Sequence, residues 1–316
     1  MIRIGLDVMG GDYAPDSVLK GALMAYSAWS DTFQLVLFGQ SSVIQPFLKS
    51  NPEFAAHCDV VFTEQVIEMA ASPVRALVEK PESSIVKGLE ALHAGQIDGF
   101  ASAGNTGAML AGAVLKLGSI REDIRPCLMG CLPRPNGTDG IMLDVGAIAD
   151  TKPETLRDLA LLGQVYAQTV LGIEQPKIAL LSIGEEPEKG NAVTVAGHKL
   201  LAEMENIQFV GNVEGRDIFS EKADVVVTGG FTGNIVVKLS EKFFEIAQEY
   251  NCADLPFFKR LNYETYGGSP ILGVNKPAVV GHGISSPLAI QNMIWLTYDI
   301  ARTGLCERIH SALTHE

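Results

Sequence analysis

The sequence lacks the features that would place the protein within a membrane or send it across one. Among its 316 residues, no apolar run reaches the ~18 residues that a membrane-spanning helix needs. Residues 1–20 do not have the charged start, apolar centre and cleavage site of a secretory signal. We therefore expect a cytoplasmic protein.

Cysteine is scarce and irregularly spaced. The five cysteines are an odd number, and their spacing is not that of a disulfide framework. Cys127 and Cys131 lie four residues apart, but no second pair of Cys or His follows at the spacing of a zinc site. We expect reduced, mostly buried thiols and no metal site.

Positive charge is also low. The chain has 24 Lys and Arg residues against 37 Asp and Glu residues, a net charge of −13, and it has no block of Lys and Arg. Because nucleic-acid binding depends on a basic surface, we expect no nucleic-acid partner. An acidic protein partner would have to dock on a local basic patch.

No low-complexity segment or linker divides the chain. Its hydrophobic content of 47% is ordinary for a globular enzyme, and 316 residues are enough to bury a large core. The length suits one large α/β body or two intimate lobes. We predict a single functional domain over residues 1–316.

Apolar strands alternate with amphipathic helices along most of the chain. Segments 33–39 and 177–183 are typical of strands buried on both faces, and the helices between such strands have the spacing of right-handed βαβ units. The pair Asn136-Gly137, between two apolar runs, predicts an antiparallel hairpin. The predicted fold is α/β, with a mostly parallel sheet covered by helices and one hairpin insertion.

Two glycine-rich loops of similar composition follow predicted strands. One lies within residues 96–108, and the other, residues 228–234, follows three consecutive valines. Glycine lets backbone N–H groups approach an anion closely, and a helix predicted to begin near Asn234 would add the positive end of its dipole. We expect both loops to face one cleft and to bind an anion. The alternative is that they are only tight strand-to-helix turns.

Three further polar loops lie at the ends of predicted strands, where α/β sheets bind ligands. Residues 7–15 hold two glycines, two aspartates and a proline, and Asp12 is either a ligand or a local cap. Residues 184–191 are crowded with charge and end where a helix is predicted to start. His282 lies between two glycines after a buried strand, where its imidazole could reach a ligand.

Taken in order and spacing, these loops resemble the PlsX family, the phosphate acyltransferases of bacterial phospholipid synthesis. The matching stretches are Met9-Gly-Gly-Asp-Tyr-Ala-Pro15, Ala103-Gly-Asn-Thr-Gly-Ala108, Leu143-Asp-Val-Gly-Ala147, Gly184-Glu-Glu-Pro-Glu-Lys-Gly-Asn191, Thr228 to Asn234, Tyr266-Gly-Gly268 and Gly281-His-Gly283. The resemblance covers nearly the whole chain, and the ordered set is far more specific than any single motif.

The resemblance implies a reaction between acyl-[acyl-carrier protein] and inorganic phosphate that yields acyl phosphate and free carrier protein. It implies a three-layer α/β/α fold similar to that of the isocitrate and isopropylmalate dehydrogenases and of phosphotransacetylases. It also implies a homodimer without a metal or an organic cofactor, and peripheral association with the membrane.

The chain departs from the family pattern at two places. Position 229 is Gly, where the family often has Asp. The aromatic and basic arm at about residues 239–266 is shorter than the helical arm of many members, and that arm is tied to dimer contact and membrane approach.

Phosphate attack on a thioester requires an anion cradle and donors for the oxyanion, and a general acid can assist the leaving thiolate without being indispensable. We predict that Asn105, Thr106, Gly233 and Asn234 cradle the phosphate. The predicted catalytic residues are His282, as general acid, Lys152 and Asn234. The predicted substrate-binding residues are Gly10, Gly11, Asp12, Asn105, Thr106, Gly107, Asp144, Lys189, Asn191, Gly230, Thr232 and Gly233.

Each charged candidate has a structural alternative. Lys189 lies among three glutamates, so it could form a local ion pair. Lys152 lies at a predicted helix start, where the dipole disfavours a cation, and this favours a functional reason for it. His282 could be a structural residue that forms hydrogen bonds within its turn, rather than the general acid.

The segment 238–263 mixes aromatic with basic residues. We predict that it docks the acidic carrier protein through four side chains, Lys238, Lys242, Lys259 and Arg260. It could instead meet the membrane surface, or form a dimer core with solvated lysines.

Three other functions compete with the phosphate acyltransferase. An NAD-dependent decarboxylating dehydrogenase would need an arginine clamp and an Asp cluster at metal spacing, and neither is evident. A phosphotransacetylase-like enzyme would use acyl-CoA with the same chemistry. A non-catalytic scaffold for lipid synthesis would not explain so many glycine loops suited to ligands.

Overall fold

The computed structural model describes residues 1–314, and these divide into two compact units. Unit 1 comprises Met1–Ser119 and Tyr263–Gly304, and unit 2 comprises Ile120–Asn262 and the described residues from Leu305 onward. Each unit is thus built from two separate stretches of chain. The prediction of one functional domain over residues 1–316 stays a prediction.

The strands of the described chain are short and mostly buried. In chain order they are β1 (Ile2–Asp7), β2 (Phe33–Gly39), β3 (Cys58–Phe62), β4 (Gly99–Ser102), β5 (Cys127–Pro133), β6 (Asp139–Leu143), β7 (Lys177–Leu181), β8 (Gln208–Val213), β9 (Val225–Val227), β10 (Ser269–Leu272) and β11 (Ala278–Val280).

The helices fill most of the connections between the strands. They are α1 (Asp16–Trp29), α2 (Ser41–Ser50), α3 (Pro52–Ala55), α4 (Pro73–Glu79), α5 (Ser84–His93), α6 (Thr106–Gly112), α7 (Pro153–Thr169), α8 (Ala192–Ala202), α9 (Gly230–Glu249), α10 (Pro256–Arg260), α11 (Pro287–Thr303) and α12 (Leu305–Thr314). A π-helical turn at Ala113–Leu117 continues α6, and 3₁₀ turns cover Gly215–Asp217 and Tyr263–Thr265.

The strands of unit 1 lie in the order β3-β2-β1-β4-β11-β10, and all pair in parallel except β10 with β11. Helices cover both faces. A Cβ on Gly99 of β4 would lie 2.7 Å from Thr297 of α11, whereas the next residue, Phe100, packs against Gly88 of α5. Because successive strand residues point to opposite faces, α11 and α5 lie on opposite sides of the sheet.

The strands of unit 2 lie in the order β5-β6-β9-β7-β8. The pairs β6–β9, β9–β7 and β7–β8 are parallel, and β5–β6 is antiparallel. The turn of that hairpin is closed by Asn136, whose Oδ1 accepts the Thr138 N–H at 2.9 Å, and Gly137 has a φ of 91°. The predicted hairpin is therefore confirmed.

The predicted fold class, a mostly parallel sheet flanked by helices, is confirmed, and one local prediction is wrong. The helix expected to begin near Asn234 begins at Gly230. Strand β10 was not predicted, because its four residues include Pro270 and are too few to display an alternating pattern.

Candidate active site

In each unit, the loops with the predicted site residues leave the carboxyl ends of neighbouring parallel strands. In unit 1, Ala101 pairs with Leu6 and Ser102 with Val280, so the loops after β1, β4 and β11 emerge side by side. In unit 2, Val227 pairs with both Leu143 and Leu180, so the loops after β6, β9 and β7 do the same. This edge is where open α/β sheets bind ligands.

Asp7 organises the loop after β1, although the sequence did not point to it. Its side chain is 1% exposed and accepts hydrogen bonds from Ser102 Oγ at 2.6 Å and from the Met9 N–H at 2.9 Å. Burial raises the pKa of Asp7, and the Ser102 hydrogen bond opposes that rise. A Cβ on Gly10 would lie 2.5 Å from Asp7 Oδ2 and 2.7 Å from Gly104 N, so Gly10 lets the β1 and β4 loops approach closely.

The loops after β1 and β11 also touch. The Asp12 N–H donates to the Gly283 carbonyl at 2.7 Å, and a Cβ on Gly283 would lie 3.1 Å from Asp12 Oδ2. Gly11 has a φ of 114°, a conformation that favours glycine. The structure thus brings Gly10, Gly11 and Asp12 together with the loop that carries the half-buried His282.

Asn105 does not have the free side chain that a phosphate ligand needs. Its Oδ1 caps α6 by accepting the Ala108 N–H at 2.9 Å, and its Nδ2 donates to the carbonyls of Met69 and Ala71, each at 3.0 Å. These bonds give the amide a structural role, and a phosphate contact at Asn105 stays a prediction. Thr106 and Gly107 begin α6, where backbone N–H groups have no acceptor within the helix.

Asp144 is likewise occupied by its own chain. Its carboxylate is fully buried and accepts the backbone N–H groups of Leu128 at 3.0 Å and Ile148 at 2.6 Å, with further bonds from Gly146 and Ala147. The carboxylate therefore shapes the loop after β6, and contact of Asp144 with substrate stays a prediction.

The glycines at the start of α9 serve close packing rather than an open anion loop. A Cβ on Gly230 would overlap the Asp144 carboxylate, and one on Gly233 would overlap the Asp144 carbonyl oxygen. The N–H groups of Gly230 and Gly233 donate to the carbonyls of Ile148 and Gly229. A phosphate contact at Gly233 stays a prediction. Thr232, in the first turn of α9, is exposed.

Asn234 joins the loops after β6 and β9. Its Nδ2 donates to the Val145 carbonyl at 3.1 Å, and Gly146, with a φ of 137°, packs directly against it. This contact holds the loop in place. A catalytic role for Asn234 stays a prediction.

The structure gives a physical reason for glycine at position 229. A Cβ there would lie 2.9 Å from Thr151 Oγ1, which donates to the Ile148 carbonyl at 3.1 Å. An Asp at 229 would therefore displace the Thr151 hydroxyl. Lys152, the next residue, is exposed just before α7, and no carboxylate among residues 1–314 pairs with it.

In the loop after β7, Lys189 is exposed, and its predicted local ion pair does not form within the described part of the chain. Lys222 instead pairs with Glu185 at 2.7 Å. Asn191 caps α8 through Oδ1, which accepts the Thr194 N–H at 2.9 Å, so the Asn191 oxygen is not available to substrate. Substrate binding by Lys189 and Asn191 stays a prediction.

The loop after β7 is held by a buried pair that the sequence did not identify as relevant to it. Asn212 Nδ2 donates to the Glu186 carbonyl at 2.9 Å, and its Oδ1 lies 2.9 Å from His198 Nδ1. Because the amide nitrogen already donates to a carbonyl, the amide oxygen must accept, and His198 Nδ1 carries a proton.

The basic docking candidates differ in their surroundings. Lys238, Lys242 and Lys259 are exposed, and Lys242 pairs with Glu245 on the surface of α9. Arg260 pairs with Asp139 at 2.5 Å and donates to two carbonyls of the β5–β6 hairpin. Arg260 thus supports the hairpin, and its docking role stays a prediction.

Comparisons with known proteins agree over nearly the whole chain. A family model described as "Fatty acid synthesis protein" matches residues 2–308. The phosphate acyltransferase of Syntrophomonas wolfei is 40% identical over 310 residues, which is 97% of each chain. The phosphate acyltransferase of Dictyoglomus thermophilum is 38% identical over 331 aligned positions, covering 99% of this chain and 98% of the other.

Solved structures of similar fold have much lower identity. A branched-chain phosphotransacylase from Enterococcus faecalis has a TM-score of 0.66 at 15% identity, covering 95% of this chain and 99% of the other. A phosphotransacetylase from Staphylococcus aureus has a TM-score of 0.62 at 16% identity, covering 95% and 94%. At these identities the likeness concerns the fold alone.

Proposed function

Because the chain belongs to the family of fatty acid synthesis proteins, we propose that it is a phosphate acyltransferase that acts on acyl-[acyl-carrier protein]. The observation that carries the proposal is the near-full-length match to phosphate acyltransferases. The products would be acyl phosphate and free carrier protein, for use in phospholipid synthesis.

We assign phosphate binding to the carboxyl-edge loops of unit 2. Lys152 and Lys189 are exposed cations on two of these loops. The N–H groups of Phe231 and Thr232 lie in the first turn of α9, where the helix itself provides no acceptor and where the dipole favours an anion. These groups would bind and orient the phosphate as the nucleophile.

We assign protonation of the leaving group to His282, in the loop after β11. A phosphate oxygen attacks the thioester carbonyl carbon, and the carbonyl electrons move to oxygen, where the first N–H groups of α6, at Thr106 and Gly107, would stabilise them. Collapse re-forms the carbonyl, breaks the C–S bond and releases a thiolate, which takes a proton from His282. Solvent then reprotonates the imidazole.

This chemistry does not require a covalent enzyme intermediate, because phosphate itself is the nucleophile. A thiol also leaves readily, since its ordinary pKa is about 8.5. Positioning and prearranged donors can then supply much of the rate.

The test of this proposal compares two acyl carriers. We expect a higher kcat/KM with palmitoyl-[acyl-carrier protein] than with palmitoyl-CoA at saturating phosphate. A preference for palmitoyl-CoA would favour the phosphotransacetylase-like alternative.

We propose that Lys238 and Lys259 help to dock the acidic carrier protein. Reversal of either to Glu should raise the KM for palmitoyl-carrier protein at low salt by about three- to tenfold, equivalent to ~1 kcal/mol of affinity. The KM for a palmitoyl thioester of N-acetylcysteamine, which has no carrier protein, should stay the same. An unchanged KM for the carrier substrate at low salt would contradict the docking role. Arg260 is unsuitable for this test because its reversal would also disturb the hairpin.

A further inference from the structure

Residues 66–72 connect β3 to α4 in unit 1, and we call this segment the strap. Lys80 fixes its first part, because Lys80 Nζ donates to the Val66 carbonyl at 2.7 Å and pairs with the Glu68 carboxylate. Ile67, between these two contacts, is buried. The strap therefore enters the surface of unit 1 from an anchored start.

Asn105 holds the centre of the strap. Its Nδ2 lies 3.0 Å from the carbonyl oxygens of Met69 and Ala71 and 3.3 Å from that of Glu68. Asn105 is also the N-cap of α6, so the strap is tied to the start of that helix. In the proposed function, the first N–H groups of α6 stabilise the oxyanion. The strap thus borders the place assigned to the thioester carbonyl.

The strap also meets the loops after β11 and β1. A Cβ on Gly283 would lie 2.7 Å from Met69 Cε, and Gly283 directly follows His282, the proposed acid. The Gly283 carbonyl accepts the Asp12 N–H at 2.7 Å, which brings the loop after β1 to the same point. Three separate connections of unit 1 therefore converge at Gly283.

Each of these three connections carries an exposed apolar side chain. Met69 is 37% exposed, and the residues next to Asp12 and Gly283, which are Tyr13 and Ile284, are more exposed still. A single exposed apolar residue is ordinary, but three on converging segments form an apolar surface beside the candidate site. A surface of this chemistry fits a hydrocarbon ligand.

We propose that Met69, Tyr13 and Ile284 bind the saturated acyl chain of the thioester substrate. This inference rests on the proposed function. The acyl chain is bonded to the same carbonyl carbon as the sulfur, so it begins between the start of α6 and His282, and Met69 adjoins both. Because burial of each further methylene group is favourable, this surface makes long acyl chains better substrates than short ones.

The test compares butyryl-[acyl-carrier protein] with palmitoyl-[acyl-carrier protein] at saturating phosphate. The two substrates share the carrier, the thiol and the nucleophile, so the ratio of their kcat/KM values isolates the contribution of the acyl chain. The variants are Met69→Gln, which is polar and of similar size, Met69→Leu, which stays apolar, and Ile284→Thr. Met24→Gln on α1 is the matched control, since Met24 is 38% exposed in the same unit.

The wild type should favour the palmitoyl substrate by at least about tenfold in kcat/KM. Met69→Gln and Ile284→Thr should each lower that ratio by about five- to tenfold. Their kcat/KM for the butyryl substrate should change by less than about twofold, because a short chain buries little apolar area. Met69→Leu and Met24→Gln should keep the wild-type ratio within about twofold.

An unchanged ratio in both Met69→Gln and Ile284→Thr, or equal losses on the two substrates, would overturn the acyl-chain site and leave the proposed function standing. A wild type without any preference for the longer chain would overturn it as well. If Met69→Gln does not fold, Ile284→Thr still decides between these outcomes. If the wild type releases no thiol from either substrate in a phosphate-dependent manner, the proposed function itself fails.

Discussion

At the scale of single residues, Asp7 and Asp144 have the same structural role, because each carboxylate holds the loop that follows its strand. Each follows or ends a buried strand, is at most 1% exposed, and accepts backbone N–H groups of the loop that it begins. The sequence indicates that an Asp lies beside glycines, but it does not tell whether the carboxylate faces a ligand or its own backbone. That direction depends on packing from other strands, such as the approach of Ser102 to Asp7.

The buried Asp7 predicts a pH dependence of stability. Burial raises its pKa in the folded protein above the ordinary 3.8, so the folded state holds the proton more tightly than the unfolded chain does. Its contribution to stability is fully present below pH 3.8 and is lost as the pH rises through the folded-state pKa. We expect the free energy of unfolding of the wild type, minus that of Asp7→Asn, to fall as the pH rises.

Urea unfolding across a pH series measures this difference. The exposed Asp150, changed to Asn, is the control for removal of a carboxylate from the surface. A difference for Asp7→Asn that grows as the pH rises would contradict the assignment.

At the scale of elements, hydrophobic periodicity predicted the strands and helices well, because each periodic pattern depends only on the residues of its own segment. The boundaries that failed depend on distant contacts. The start of α9 is the clearest case: residues 230–234 have a loop-like composition, yet they are helical because Gly230 and Gly233 allow the helix to pack on Asp144. The loop-like composition indicated anion binding, whereas the need for close packing on Asp144 depends on a contact that the local sequence does not display.

Gly233→Ala should therefore be strongly destabilising. Its Cβ would overlap the Asp144 carbonyl, and overpacking of this kind costs roughly 1–3 kcal/mol or more. Gly215→Ala is the matched control, since a Cβ at Gly215 has open space around it and alanine restricts the unfolded chain. Chemical denaturation should show a clear loss for the first variant and no loss for the second. Equal stabilities would mean that α9 does not lie against this loop.

The loop after β7 predicts a local effect. Asn212→Asp replaces the amide donor with an oxygen opposite the Glu186 carbonyl, and the two acceptors repel each other. The backbone amides of Glu185, Glu186, Glu188 and Lys189 should exchange hydrogen for deuterium about tenfold faster, equivalent to ~1.4 kcal/mol of local stability.

The exposed Asn206, changed to Asp, is the control for this experiment and should leave the exchange rates of the loop unchanged. Unchanged exchange at residues 185–189 in Asn212→Asp would show that Asn212 does not hold the loop.

At the scale of the whole molecule, α9 carries an exposed apolar face. Its members are spaced three or four residues apart and are Phe231, Ile235, Leu239, Phe243, Ile246 and Tyr250. A face of this kind on a helix is typical of an interaction surface. No helix among residues 1–314 is long and apolar enough to cross a membrane. We propose that a second copy of the chain covers this face, in agreement with the homodimer that the family resemblance implies.

Leu239→Glu should weaken such a dimer. Leu239 is 57% exposed, and a carboxylate there would be buried without a partner in the interface. Analytical ultracentrifugation should show a dissociation constant at least about tenfold higher, equivalent to ~1.4 kcal/mol. Val78→Glu on α4 is the control, because it changes an equally apolar exposed residue on another helix. An unchanged dimer together with lost binding to lipid vesicles would assign the face to the membrane instead.

The measurement that tests the account most directly is thiol release from palmitoyl-[acyl-carrier protein], with and without inorganic phosphate, in parallel with hydroxylamine trapping of the product. A phosphate acyltransferase releases the thiol only when phosphate is present and gives a trapped hydroxamate that reports acyl phosphate. Release without phosphate would indicate a thioesterase. No release, with acyl-CoA also inert, would contradict the enzymatic account and favour a scaffold.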